Sequence, residues 1–96
     1  MPIDTQALTA ENTYTKAIDV TDKFSVFVSG TFVGTITLQG KQAGANDSTY
    51  VDLQTSVDAP VIWNDDAGVK MEIRAGFKTG EYTSGTANVT VEDETL

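Results

Sequence analysis

Apolar and polar residues alternate with a period of two along much of this chain. The clearest stretch, residues 24–40 (FSVFVSGTFVGTITLQG), puts Phe24, Val26 and Val28 on one face and Ser25, Phe27 and Ser29 on the other. Successive side chains of a strand point to opposite faces, so this spacing predicts β-structure. A helix would need apolar residues three to four apart, and the density of β-branched side chains also favours an extended backbone. Gly-Thr-Phe-Val-Gly at 30–34 interrupts the alternation and predicts a hairpin, with Ile36 and Leu38 alternating against Thr35, Thr37 and Gln39 in the return strand. The most regular one-face pattern lies at 69–77, where Val69, Met71, Ile73, Ala75 and Phe77 alternate with Lys70, Glu72, Arg74 and Gly76.

Weaker patterns fill in the rest. Residues 15–20 predict a first strand with Ala17, and either Ile18 or Val20, turned inward. Residues 50–56 predict another, and Ala59-Pro60 opens a short strand through Val61, Ile62 and Trp63. At 86–92, Ala87, Val89 and Val91 share a face, while 41–49 (KQAGANDST) and 79–85 read as loops. About seven strands with turn signals between them predict an all-β fold, a single antiparallel β-sandwich of Ig-like or jelly-roll-like type. The sandwich is expected over residues 14–92, with an extended or mobile N-terminal arm at 1–13 and an acidic tail at 93–96. Its expected core is Phe24, Val26, Val28, Ile36, Leu38, Leu53, Val69, Met71, Ile73 and Val89.

At 96 residues the chain fits one domain. Composition then narrows the function. Six Lys and Arg against fourteen Asp and Glu give a formal charge of −8, which repels nucleic acid and anionic membrane surfaces. The expected partners are therefore neutral or basic proteins, or further copies of the chain. Cys and His are both absent, which removes disulfides, thiolate chemistry, Ser-His-Asp triads and the commonest transition-metal ligand. No apolar run approaches the length of a membrane span, and the start MPIDTQALTAENTY has neither a basic nor an apolar leader region, so synthesis in the cytoplasm is expected. Fifteen Thr suit half-exposed strands, where a branched polar side chain favours extension without a sticky surface.

Two constellations could carry chemistry. Asp65-Asp66 offers carboxylate oxygens of the kind Ca²⁺ takes, but Asn-Asp-Asp-Ala-Gly is also good turn chemistry and the spacing of a twelve-residue calcium loop is missing. Asp52 and Glu72 could serve as an acid and base pair, yet no spacing places them in one cleft. No catalytic residue, metal ligand or cofactor is therefore assigned, and the chain is expected not to be an enzyme. The residues singled out for a partner interface are Ile3 and Leu8 of the arm, together with Phe27, Phe32 and Tyr82. Phe27 has the opposite parity to Phe24, Val26 and Val28, so it must point away from the core, and large aromatics anchor interfaces. Tyr82 falls in an expected loop tip, whereas Trp63 is expected in the core.

Val28–Gln39 (VSGTFVGTITLQ) and the later block GEYTSGT at 80–86, with an aromatic strand at 50–53 between them, resemble a family of small β-sandwich proteins from the structural modules of tailed bacteriophages and prophages. In that family the first block runs Ser-Val-Ser-Gly-Thr-Trp-x-Gly-Thr-Val-Thr-Leu-Gln, and here Phe32 stands at the Trp position. Tyr50 likewise stands at a second Trp. The likeness spans about the last three-quarters of the chain. It implies a homo-oligomeric virion component, possible as a trimer, of which a capsid decoration or cement protein binding the major capsid protein is the leading form. A tail- or fibre-associated subunit is the alternative, and a carbohydrate-binding module a more distant one.

Overall fold

The computed structural model describes residues 3–94; Met1, Pro2, Thr95 and Leu96, the outermost residues of the expected arm and tail, lie outside the described residues. Two strands dominate it: β4, Lys23–Gln42, and β7, Met71–Asp93. Twenty and twenty-three residues of straight strand would run roughly 65 and 75 Å at about 3.3 Å per residue. The longest extent of the molecule is 35 Å, so both strands must fold back on themselves. They do so together, paired antiparallel from Phe24↔Asp93 to Gln42↔Met71, with register shifts around Gly34. Gly30 (φ +100°) and Gly85 (φ +91°) flank this bend, in backbone conformations that L side chains rarely adopt. A Cβ on Gly30 would collide with the Thr86 carbonyl oxygen, and one on Gly85 with that of Thr31, so each strand fills the space the other's side chain would need.

The shorter strands attach to either half of this bent pair. β1 (Ile3–Leu8) joins the C-terminal part of β7, and β6 (Val61–Asp66) joins the N-terminal part of β4. This first half-sheet therefore runs β1-β7-β4-β6. In the second half, β2 (Thr13–Tyr14) and β3 (Ile18–Val20) line the start of β7, and β5 (Val51–Ser56) lines the end of β4. The result is an all-β, sandwich-like fold made from one seven-stranded antiparallel sheet. Phe24, Val26, Val28, Val89 and Val91 from the first half meet Ile36, Leu38, Ile73 and Phe77 from the second in one core. Burial at this scale is worth about 25 cal/mol per Å² of apolar surface and supplies the main drive to fold.

Several sequence expectations change here. The Gly30–Gly34 interruption is a bend within β4 and not a hairpin turn, and the expected loop at 79–85 lies inside β7. The N-terminal segment is extended but paired: β1 forms six register pairs with β7, and Leu8 is buried. Asp4 also accepts the Lys16 amide at 2.8 Å, tying β1 to the β2–β3 connection. Val69 was expected in the core and is 65 % exposed, because β7 begins two residues later. Leu53 is also exposed, on an edge strand whose ladder slips between Leu38 and Gln39. Ile18 and Val20 both point inward and Ala17 does not. Trp63 and Met71 are half-buried against the core.

Candidate functional site

The outward residues of β4 separate the two halves of the molecule. In the second half, Thr37, Gln39 and Lys41 point away from the core yet are buried. What covers them is the chain's own polar and aromatic chemistry. The Arg74 guanidinium lies between the Tyr14 and Tyr50 rings, 4.1 and 4.0 Å from their centroids, and donates from Nε to Gln39 Oε1 at 2.9 Å. Gln39 Nε2 donates to Asp52 Oδ1 at 3.0 Å, and Lys78 Nζ to Asp52 Oδ2 at 2.8 Å. Beside this row Lys41, whose side chain is 4 % exposed, donates from Nζ to Asp47 Oδ1 at 2.7 Å and to the Ala45 carbonyl at 2.6 Å. Its ammonium also lies 3.4 Å from Glu72 Oε2 and 5.2 Å from the Tyr50 centroid.

This network places Asp47 at the mouth of a loop that folds over the sheet. Asn46 caps the 3-10 turn Asp47–Thr49, accepting the Ser48 amide at 3.2 Å, and so holds Asp47 toward Lys41. Each partner's titration reflects the pairing. The hydrogen bond to Lys41 holds the Asp47 carboxyl below its ordinary range, and that to Lys78, with Gln39 adding to it, does the same for Asp52. The lysines move the other way: Asp47 raises Lys41 despite burial, and Asp52 raises Lys78. Burial raises the Tyr50 phenol, opposed by Arg74 and Lys41. A buried cation must be paired, and Lys41 is, with Asp47 and Glu72. Asp52 and Glu72, weighed above as an acid and base pair, are engaged with separate lysines. Asp65 accepts the Asp66 amide at 2.8 Å and Asp66 the Gly68 amide at 3.0 Å, which is turn chemistry. Among the described residues no group of three or more carboxylates is placed to hold a metal ion.

The first half is uncovered. Phe27 is 46 % exposed and pairs in register with Ile62 of β6, which is 60 % exposed, and with Thr90 of β7. Thr90 meets Thr5 of β1 through a hydroxyl–hydroxyl hydrogen bond of 2.9 Å. One row across four strands thus reads Thr5, Thr90, Phe27, Ile62. Ser25 and Asn64 flank it on one side, and Ser29 and Asn88 on the other. Glu92 joins the row of Ser25, and apart from it these short, uncharged side chains leave Phe27 and Ile62 exposed among them. Ile3, exposed at the end of β1, pairs with Glu92 at the margin of the same face.

The five residues expected at an interface divide between these surroundings. Phe27 and Ile3 lie on the uncovered face. Leu8 is buried, and Phe32 and Tyr82 pack edge-to-face on Phe77 at the bend, with centroids 5.5 and 4.9 Å away. Tyr82 also donates its hydroxyl to the Gly85 carbonyl at 2.8 Å. Ile62 was not singled out: its parity within 61–63 was readable, but its place beside Phe27 depends on a register that joins strands far apart in the chain. The class defined by these features is a small all-β, sandwich-like domain with one covered and one open outer face. Comparison of the chain with protein-family models, with curated proteins and with solved structures finds no match.

Proposed function

We propose that this chain is a non-enzymatic structural subunit of a tailed-phage particle, in its leading form a capsid decoration protein that binds the assembled shell. The observation that carries the reading is the Phe27–Ile62 pair on an open sheet face, in a molecule whose other outer face is closed by its own loop and cation–aromatic stack. Desolvated aromatic and aliphatic anchors set on a rim of short polar residues are the usual energetic centre of a protein contact. The motif likeness at 28–39 and 80–86 supports the same role. Function follows by mass action: a protein that binds only the assembled shell stabilises it by its binding free energy, multiplied over many copies.

The test is occupancy on purified particles. Phe27→Ser with Ile62→Ser should leave the isolated fold intact, since both side chains are exposed, and should weaken binding to the particle by at least about tenfold, about 1.4 kcal/mol, read as occupancy at subsaturating concentrations. Unchanged occupancy would overturn the reading. Copy number separates the shell from a tail or fibre position, because a decorated shell carries far more copies than a tail.

A further inference from the structure

Among the described residues β6 pairs with β4 alone, so its other side is a free sheet edge, and Ile62 brings the apolar pair of the open face directly to that edge. The strand is chemically divided along its length. Val61, Ile62 and Trp63 are apolar, and Asn64, Asp65 and Asp66 are polar and acidic. Where β6 ends, further carboxylates converge. Lys23 pairs with Asp66, Phe24 with both Asp65 and Asp93, and Ser25 with Glu92; the Glu94 amide donates to the Lys23 carbonyl at 2.9 Å, and that of Ala67 to the Asp22 carbonyl at 2.8 Å. Six acidic residues, Asp22, Asp65, Asp66, Glu92, Asp93 and Glu94, thus lie at or next to the backbone positions that pair around Lys23. A hollow of about 500 Å³ opens at this end of the strand, lined by Lys23, Phe24, Asn64, Asp65, Asp66 and Glu94.

We propose that the edge of β6 takes up an extended segment of a partner protein as an added antiparallel strand, apolar where it passes Ile62 and basic where it reaches Asp65 and Asp66. Strand addition supplies main-chain hydrogen bonds, and the side chains on either face set the preference. The division of β6 selects the occupant: an antiparallel strand must enter with cationic residues and continue with apolar ones. A second copy fits poorly, because it brings its own acidic end and a charge of −8 to the same edge. β5, the other edge attached to β4, is interrupted by a register slip, a common device that disfavours strand addition. The inference rests on the contact role proposed above and names the partner chemistry of the same face.

The experiment uses the full chain and leaves the particle out, so the two readings can fail separately. The probe is a short synthetic peptide of lysines followed by alternating valine and threonine, and its twin carries glutamates in place of the lysines. Amide hydrogen exchange and NMR titration report the site. The lysine peptide should slow exchange at residues 61–64 and bind about tenfold more weakly in high salt than in low. Ile62→Lys, at an exposed position, should weaken it by about tenfold again, and unchanged exchange in the core confirms that this variant is folded. Equal binding of the glutamate twin would overturn the proposal. So would protection appearing at β5 or β1, no binding by the lysine peptide, or concentration-dependent protection of β6 without any peptide, which would make a second copy the occupant.

Discussion

Phe77 is the residue on which the bend depends, and truncating it measures how tightly the two halves are joined. Its side chain is fully buried and receives the Phe32 ring at an interplanar angle of 77° and the Tyr82 ring at 71°. Phe77→Ala removes a buried aromatic from a site walled by backbone on two long strands, which limits collapse into the cavity. A loss of about 3–5 kcal/mol is expected. Each edge-to-face pair contributes about 0.5–1.5 kcal/mol of this. Domains of this size hold a net stability of only about 5–15 kcal/mol, so the variant should be marginal at physiological temperature. Urea denaturation followed by the fluorescence of Trp63, the sole tryptophan, is the assay. At a slope of about 2 kcal/mol per M the midpoint should fall by about 2 M. Tyr82→Ala in the Phe77→Ala background should cost about 1 kcal/mol less than in the native chain, because its ring partner is gone. A loss below about 1 kcal/mol for Phe77→Ala, or strict additivity with Tyr82→Ala, would refute the packing described.

Gly85→Ala should cost about 1–3 kcal/mol from backbone strain, with more from the clash against the Thr31 carbonyl, and circular dichroism melting checks it. Arg74→Lys should lower stability by about 1–2 kcal/mol, since an ammonium cannot stack between the Tyr14 and Tyr50 rings as a planar guanidinium does; an unchanged urea midpoint would contradict the stack. The Asp47 and Asp52 carboxyls are held below their unfolded values, so their contribution is complete at neutral pH and lost as pH falls below about 4 toward the folded values. Lys41 and Lys78 are raised, so theirs is present below the ordinary lysine range and lost as pH climbs through the folded values. Stability measured against pH should fall at both ends, and Asp52→Asn should flatten the acid limb.

Parity was the readable part of this fold. The alternation at 24–28, 71–77 and 87–91 assigns each inward residue correctly, because a buried face requires period two whatever the topology. The bend was not readable. Glycines with positive φ mark hairpin turns and sharply bent strands alike, and only the pairing of Gly30 with Ala87 and of Phe32 with Gly85 distinguishes the two. Val69 failed because alternation continues past the point where β7 and its cover begin. Leu53 failed because the ladder slips there, with Leu38 pairing Gln54 and Gln39 pairing Asp52, so that parity along β5 does not carry through. Phe27 could be placed outward from its neighbours alone. The cover over Lys41 could not, since it joins two segments far apart in the chain, the turn carrying Asp47 and Tyr50 and the strand carrying Glu72.

Because β4 and β7 each pass through both halves, the molecule has no seam. A sandwich of two separate sheets can loosen one layer while keeping the other, but here opening either layer pulls on a backbone shared with its neighbour. Native-state hydrogen exchange should therefore release the buried amides of both layers in a single cooperative step. The same two strands run beneath both the exposed Phe27 and the Arg74 stack, so no boundary between layers separates the one from the other.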